Sequence, residues 1–253
     1  MLLDGKTAIV FGGGGAIGGA VAKAFAREGA SVFLSGRHAA SVEAVAADIR
    51  ASGGKAQTAV VDALDETAVE RHTAEVAERW GGIDVMLNAM GFQPVQGVPL
   101  MDLSPRDFSF PIATWTSSQF LTARAAGRHM VKKDSGVILT LSASPARLAL
   151  AGTGGFGVAC AAVEGLSRTL AAEFGPQGVR VVCIRPQRIG ETMSEADFPV
   201  PRDEFIGVLE GMTLTKRLPT LADVANTAAF LASNQAAAMS GAVANLTCGM
   251  SVD

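Results

Sequence analysis

The sequence predicts an α/β protein of the doubly wound kind: a parallel seven-stranded sheet with helices on both faces, in a single domain spanning residues 1–253. Three observations lead there. Short β-branched runs alternate with longer helical patterns along the chain. The runs are apolar on both faces, as strands covered from both sides are. Finally, 253 residues suit one large α/β domain.

The elements follow in order. "TAIVF" reads as the first strand and the residues from about Ala16 to Glu28 as the first helix. "SVFLS", a helix around Ser41 to Ala51, "AQTAVV" and a helix from Glu66 to Trp80 come next. "VMLN" precedes a long helix ending near His129, and "GVILTLS" leads to a helix within Gly154 to Gly175. "VRVVCI" is the sixth strand. After it the alternation lapses into a Pro-punctuated segment, residues 186–218, expected to be a substrate loop because connections of that length commonly act as lids or binding loops. A helix from Leu221 to Leu231 and the strand "AVANL" close the sheet.

Composition excludes several classes of protein. Hydrophobic residues make up 49% and charged residues 18%, the net charge is -3, and there is no basic stripe, which argues against nucleic-acid binding. The start, "MLLDGKTAIVFGG", leads directly into a strand, so a cytoplasmic location without a signal peptide is expected. The longest uncharged stretch, Leu148 to Val163, falls short of the roughly 20 apolar residues a membrane helix needs. Cys160, Cys183 and Cys248 form no C-x-x-C pair, and His38, His72 and His129 are scattered, so no metal site is expected.

The strongest motif is "AIVFGGGGAIGGAVAKAFAREGA", where a strand, a glycine turn and an amphipathic helix follow one another. Glycines let backbone approach a pyrophosphate, and a helix N-terminus offers it free N–H groups. About 20 residues further on, a carboxylate would bind the ribose hydroxyls of NAD. Here Ser35 and Gly36 are followed by Arg37, whose guanidinium can fork onto a 2′-phosphate, so NADP(H) is preferred over NAD(H). The bland alternative is a solvated loop arginine.

With "NAMG" at Asn88 to Gly91 added, nearly the whole chain resembles the short-chain dehydrogenase/reductase family, whose domain is Rossmann-like. The family's T-G-x-x-x-G-x-G falls on Phe11, Gly12, Ala16 and Gly18, with Gly14, Gly15 and Ile17 between them; a G-x-G-x-x-G register at Gly13, Gly15 and Gly18 also fits. The resemblance implies that Asp62 and Ala63 meet the adenine and that Asn88, Ala89 and Gly91 line the cofactor. It further implies that Pro186 and Ile189 hold the nicotinamide amide, with Gln187 in place of the family's glycine.

Family members reduce carbonyls with Tyr-x-x-x-Lys, an upstream Ser and often an Asn. Gapless alignment of "AAVEGLSRTLAAEFGPQGVRV" places Phe156 at the Tyr position and Cys160 at the Lys position. The Ser and Asn positions fall on Ala143 and Trp115. The chain has no tyrosine at all. Ser142 and Ser144 are candidate substitutes, and Cys160 reads as an inert buried thiol rather than a nucleophile. Phe156 and Trp115 either pack the core or line an apolar pocket with Phe92 and Phe198. Gln93, Arg147, Arg188 and Glu191 are polar candidates near the cleft, the two arginines for an anionic ligand.

Three functions fit these residues. One is an NADP-dependent oxidoreductase of a carbonyl or hydroxyl substrate with an atypical proton donor. Another is an inactive NADP-binding protein acting as a sensor or as the partner of an active paralogue. The last is a non-redox lyase, isomerase or cyclase. In each case the resemblance implies a homodimer or homotetramer built on the fourth and fifth helices.

Overall fold

The computed structural model describes residues 1–193 and 201–252. Among these, seven strands form one wholly parallel sheet in the order β3-β2-β1-β4-β5-β6-β7. The strands are β1 (Thr7–Phe11), β2 (Ser31–Gly36), β3 (Lys55–Val60), β4 (Val85–Asn88), β5 (Gly136–Leu141), β6 (Val179–Pro186) and β7 (Val243–Leu246). Between and after them run α1 (Ala16–Arg27), α2 (Ala39–Ala51), α3 (Glu66–Trp80), α4 (Pro105–Met130), α5 (Gly155–Phe174), α6 (Arg202–Met212) and α7 (Leu221–Ala232).

Period-two alternation divides the central strands between two cores. Ala8 and Val10 of β1 join Val21 and Phe25 of α1 and Val224 and Ala228 of α7 on one face. Ile9 and Phe11 turn to the other face, where Val69 of α3, Ala126 of α4 and Leu170 of α5 cover them. Because both faces are covered, β1, β4 and β5 are buried along their whole length.

The edges depart from the expectation that every strand is covered on both sides. β3 is largely solvent-facing, with Val60 62% exposed, and β7 is only half-buried. An edge strand has one sheet neighbour, and here too little helix lies over it to hide its outer residues.

The residue 186–218 segment also differs from a loop. It contains a short 3-10 turn at Gly190–Thr192 and then α6, an eleven-residue helix with no buried residue. Pro201 precedes α6, and Asp203 and Glu204 occupy its first turn, favourable start signals that the surrounding prolines hid from a periodicity reading.

Candidate functional site

The reversal of strand order lies between β1 and β4, and a crevice opens there at the carboxyl ends of the strands. Its floor is the glycine turn. Gly12 has φ of 72°, and a Cβ on it would lie 2.5 Å from the Ala89 carbonyl oxygen. A Cβ on Gly18 would lie 2.3 Å from the Gly12 oxygen, so this position holds α1 against the turn. Gly15 starts α1, and no side chain caps its first turn, which leaves the helix N-terminus to a ligand or to water.

The cleft measures about 500 Å³ and brings together most of the residues expected to hold a dinucleotide. Gly12, Gly14, Gly15, Ala16 and Ile17 form one wall, and Gly36 and Arg37 the end beyond β2. Asp62, Ala63, Ala89, Gly91 and Gln93 complete the lining. His38, Ser41, Met90 and Thr192 line it as well and were not singled out in the sequence; His38 and Ser41 could have been, since they follow Arg37 into α2. Arg37 is exposed and makes no hydrogen bond or ion pair among the described residues. Asp62 Oδ1 accepts from the Leu64 N–H at 3.0 Å, which shapes the turn after β3.

Other expected residues stand behind the wall. Ser35 is fully buried, and its Oγ has no hydrogen-bond partner among the described residues. Asn88 is also buried: its Nδ2 donates to Thr122 Oγ1 at 3.0 Å and its Oδ1 accepts from the Met90 N–H at 2.9 Å. It therefore ties β4 to α4 and fixes the turn that carries Ala89 and Gly91. Pro186 ends β6, and Ile189 is buried in the α1 and α7 core.

An aromatic cluster joins α4 and α5 to Phe92, which follows the turn after β4. Trp115 of α4 and Phe156 of α5 stack with ring centroids 5.4 Å apart and planes 8° from parallel. Phe92 meets Trp115 edge-on at 5.3 Å and approaches Phe156 and Phe110 at 6.2 Å each. Trp115 is buried and its Nε1–H has no partner among the described residues; Phe92 and Phe156 are half-buried, and Phe110 is exposed. Ala143, Cys160 and Cys183 pack into the same cluster. Burial pushes the Cys160 thiol up to about 12, so it stays protonated and inert. Phe198 lies outside the described residues.

The two candidate serines lie behind the surface of the protein. Ser142 and Ser144 are only 1% and 2% exposed, and both hydroxyls are engaged. Ser142 Oγ donates to Glu164 Oε1 at 3.0 Å, and Ser144 Oγ bonds the Gln187 amide oxygen. Both sit at the end of β5, where the chain turns inward under α5 before emerging. Arg147 and Arg188 are exposed and do not line the dinucleotide cleft; Arg188 lies 5.8 Å over the Phe205 ring of α6. Glu191 Oε2 accepts from the Leu221 N–H at the start of α7.

Sequence reasoning missed a buried ion pair between β6 and α5. Arg185 of β6, fully buried, donates from Nη1 to both carboxylate oxygens of Glu164 at 3.2 and 3.3 Å. The signal was present: an arginine ends the apolar run "VRVVCIRP", and Glu164 stands one helical turn after Cys160, on the sheet side of α5.

A family profile described as enoyl-(acyl carrier protein) reductase matches residues 14–251. D-threitol dehydrogenase of Mycolicibacterium smegmatis is 32% identical over 95% of this chain and 90% of its own length. The chain belongs to the short-chain dehydrogenase/reductase family. The 3-oxoacyl-[acyl-carrier-protein] reductase of Chlamydia muridarum is likewise 32% identical, over 98% of both chains. Among solved structures, a short-chain dehydrogenase/reductase from Serratia marcescens superposes with a TM-score of 0.88 at 28% identity, covering 100% of each chain. A dehydrogenase/reductase from Sinorhizobium meliloti gives 0.87 at 31%, covering 99% of this chain and 96% of that one.

Short-chain dehydrogenases/reductases bind a nicotinamide dinucleotide, and the residues present fit one. The turn between β1 and α1 is closed to side chains at Gly12 and Gly18, while a Cβ on Gly91 would meet no protein atom within 4 Å. Backbone therefore borders the cleft where a pyrophosphate needs close approach. Among the described residues, no group of side chains could hold a metal ion, and no helix is long and apolar enough to cross a membrane.

Proposed function

We propose that the protein is an NADP(H)-dependent oxidoreductase that moves a hydride to or from a carbonyl-type carbon of a small molecule without a Tyr-Lys pair. The observation that carries the cofactor choice is the end of the cleft beyond β2. Gly36, Arg37, His38 and Ser41 line it, none is acidic, and Arg37 has no partner among the described residues. A carboxylate here would repel a 2′-phosphate; a free guanidinium attracts it.

In this reading the turn from Gly12 to Gly18 and the start of α1 receive the pyrophosphate. Asp62 and Ala63 flank the adenine, Ala89 and Gly91 border the ribose side with Asn88 holding their turn in place, and Pro186 and Ile189 lie towards the nicotinamide amide. The bound nicotinamide supplies or accepts the hydride. Trp115, Ala143, Phe156 and Cys160 occupy the family's Asn, Ser, Tyr and Lys positions, so none supplies the usual proton. That loss forfeits about 10²–10⁴ in rate for a substrate needing general acid catalysis. The segment 186–218, α6 included, forms the substrate side, and α4 and α5 pair with a second copy in a cytoplasmic homo-oligomer. Phe120 and Val158, 41% and 46% exposed on those helices, support that pairing.

Fluorescence titration with NADPH and NADH tests the proposal. NADPH should bind about tenfold more tightly, the effect of one charge-assisted contact. Binding of neither nucleotide would remove the cofactor assignment. The absence of tyrosine also favours a second reading, a non-catalytic NADP-binding sensor or subunit. That reading prevails if NADPH binds but no substrate panel oxidises it.

A further inference from the structure

A second cavity, of about 330 Å³, opens at the end of the sheet opposite the dinucleotide cleft. The first residues of β4, β5 and β6 form its floor, and the chain just after α7 forms part of its rim. A cavity of this size falls within the range of small-molecule sites. The charged groups lining it are Lys6, Asp84 and Arg180, and the polar side chains are Ser135, Asn234 and Ser240. Asp134 adjoins Ser135 in the chain but is exposed and outside the lining.

The negative charge in this set is already answered. Asp84 Oδ1 accepts from Lys133 Nζ at 3.1 Å and lies 3.8 Å from Lys6 Nζ, and its Oδ2 accepts from the Thr7 N–H at 2.8 Å. The positive charge is not answered. Arg180 donates from Nη1 to the Met239 carbonyl and from Nη2 to those of Leu231 and Ser233, and among the described residues no carboxylate pairs with it. These neutral acceptors hold the guanidinium in place without cancelling its charge, and burial alone pulls its pKa below the ordinary arginine range. With Lys133 spent on Asp84, Lys6 and Arg180 leave two positive charges at the cavity. Directed donors are free beside them. Ser135 Oγ and the Asn234 side-chain amide make no hydrogen bond among the described residues, and Ser240 Oγ only accepts, from the Val181 N–H at 3.2 Å.

We propose that this cavity binds a small organic dianion, a phosphate monoester or a dicarboxylate, with Lys6 and Arg180 supplying the charge and Ser135, Asn234 and Ser240 the directed donors. Ammonium and guanidinium groups suit the oxygens of either acid, and a charge-assisted hydrogen bond is about twice as strong as a neutral one. The site shares no lining residue with the dinucleotide cleft and does not rest on the nicotinamide reading. A bound dianion would join the starts of β4, β5 and β6 to the chain after α7, and would stabilise the fold as its concentration rises.

Isothermal titration calorimetry of the full chain at constant ionic strength tests the site with succinate and glycerol phosphate. Monomethyl succinate serves as the same frame with one charge fewer. Succinate should bind about tenfold more tightly than its monoester, and the tighter of the two dianions names the acidic group. Lys6→Gln should weaken dianion binding about tenfold. Asn234→Asp, at an exposed position, puts a carboxylate on the rim; it should weaken binding at least as much and keeps the site testable should Lys6→Gln fail to fold. No binding of either dianion up to about 10 mM, or binding that neither substitution changes, overturns the site. Equal binding of succinate and its monoester does the same. Arg37→Ala separates this cavity from the dinucleotide cleft: binding lost in that variant and kept in Lys6→Gln would put the anion in the cleft and overturn the proposal.

Discussion

The dinucleotide cleft and the aromatic cluster are built from different materials. Between β1 and β2 the lining is mostly backbone: glycines too crowded for a side chain, an uncapped helix start and one free arginine. The cluster between α4 and α5 is made of side chains, apolar rings packed with two thiols that burial keeps neutral. A site made by backbone survives most sequence change, because the peptide groups remain whatever the residues are. A site made by side chains has only the chemistry of those present. This contrast explains how one chain can keep a family's dinucleotide cleft while the chemistry of its ring cluster depends on the side chains it holds.

The largest effect is expected where the side-chain half meets the core. Arg185→Met leaves the Glu164 carboxylate buried without its cation, and breaking such a pair costs about 3–5 kcal/mol. The double variant Glu164→Leu/Arg185→Met should recover most of that loss in chemical denaturation. A single-variant cost below about 1 kcal/mol would show that the pair does not hold β6 to α5, and the contrast between a rigid floor and a changed surface would fail.

Next in size is the backbone half. Gly12→Ala places a Cβ at positive φ and 2.5 Å from the Ala89 oxygen, so the turn must move. We expect about 2–3 kcal/mol of destabilisation and loss of NADPH binding by titration. Retained affinity with unchanged stability would mean that the turn does not need glycine there.

How much of this could be read in the sequence follows the same division. The strands are β-branched runs set by a period of two, and the glycine turn announces itself, so the sheet and the nucleotide wall were both visible. α6 was hidden because it lies on the surface without a buried stripe, leaving little periodicity to detect. The placing of Ser142 and Ser144 depends on how the chain dips after β5, a tertiary matter that spacing cannot encode. Arg185 and Glu164 are far apart in sequence and become partners only when β6 packs under α5. Asn88 stands out in the sequence by its motif alone; that its side chain bonds Thr122 and the Met90 N–H depends on how β4 packs on α4.

A smaller effect separates two kinds of nucleotide contact. Arg37→Ala should lower NADPH affinity about tenfold and leave NADH affinity within about twofold, since only the former carries the 2′-phosphate. The two titrations measured side by side check this. An equal loss for both nucleotides would make Arg37 a support of the turn and would remove the NADP preference.

The smallest effect concerns the side-chain half and is read through pH. Cys160 is fully buried, and its thiol is pushed from an ordinary value near 9.0 up to about 12, chiefly by burial. The unfolded chain therefore releases this proton about three pH units before the folded one does. Cys160 contributes this stability in full below about pH 9 and loses it as pH rises towards about 12. Cys183, raised by burial in the same direction, adds to the effect. Urea midpoints should fall between about pH 9 and pH 10 by an amount worth about 1 kcal/mol, and Cys160→Ala should remove part of that slope. At about pH 8, alkylation of the native protein should modify the partly exposed Cys248 and spare Cys160. Rapid modification of Cys160 would place a reactive thiolate among the rings, and the cluster would then be a nucleophilic site and not an apolar one.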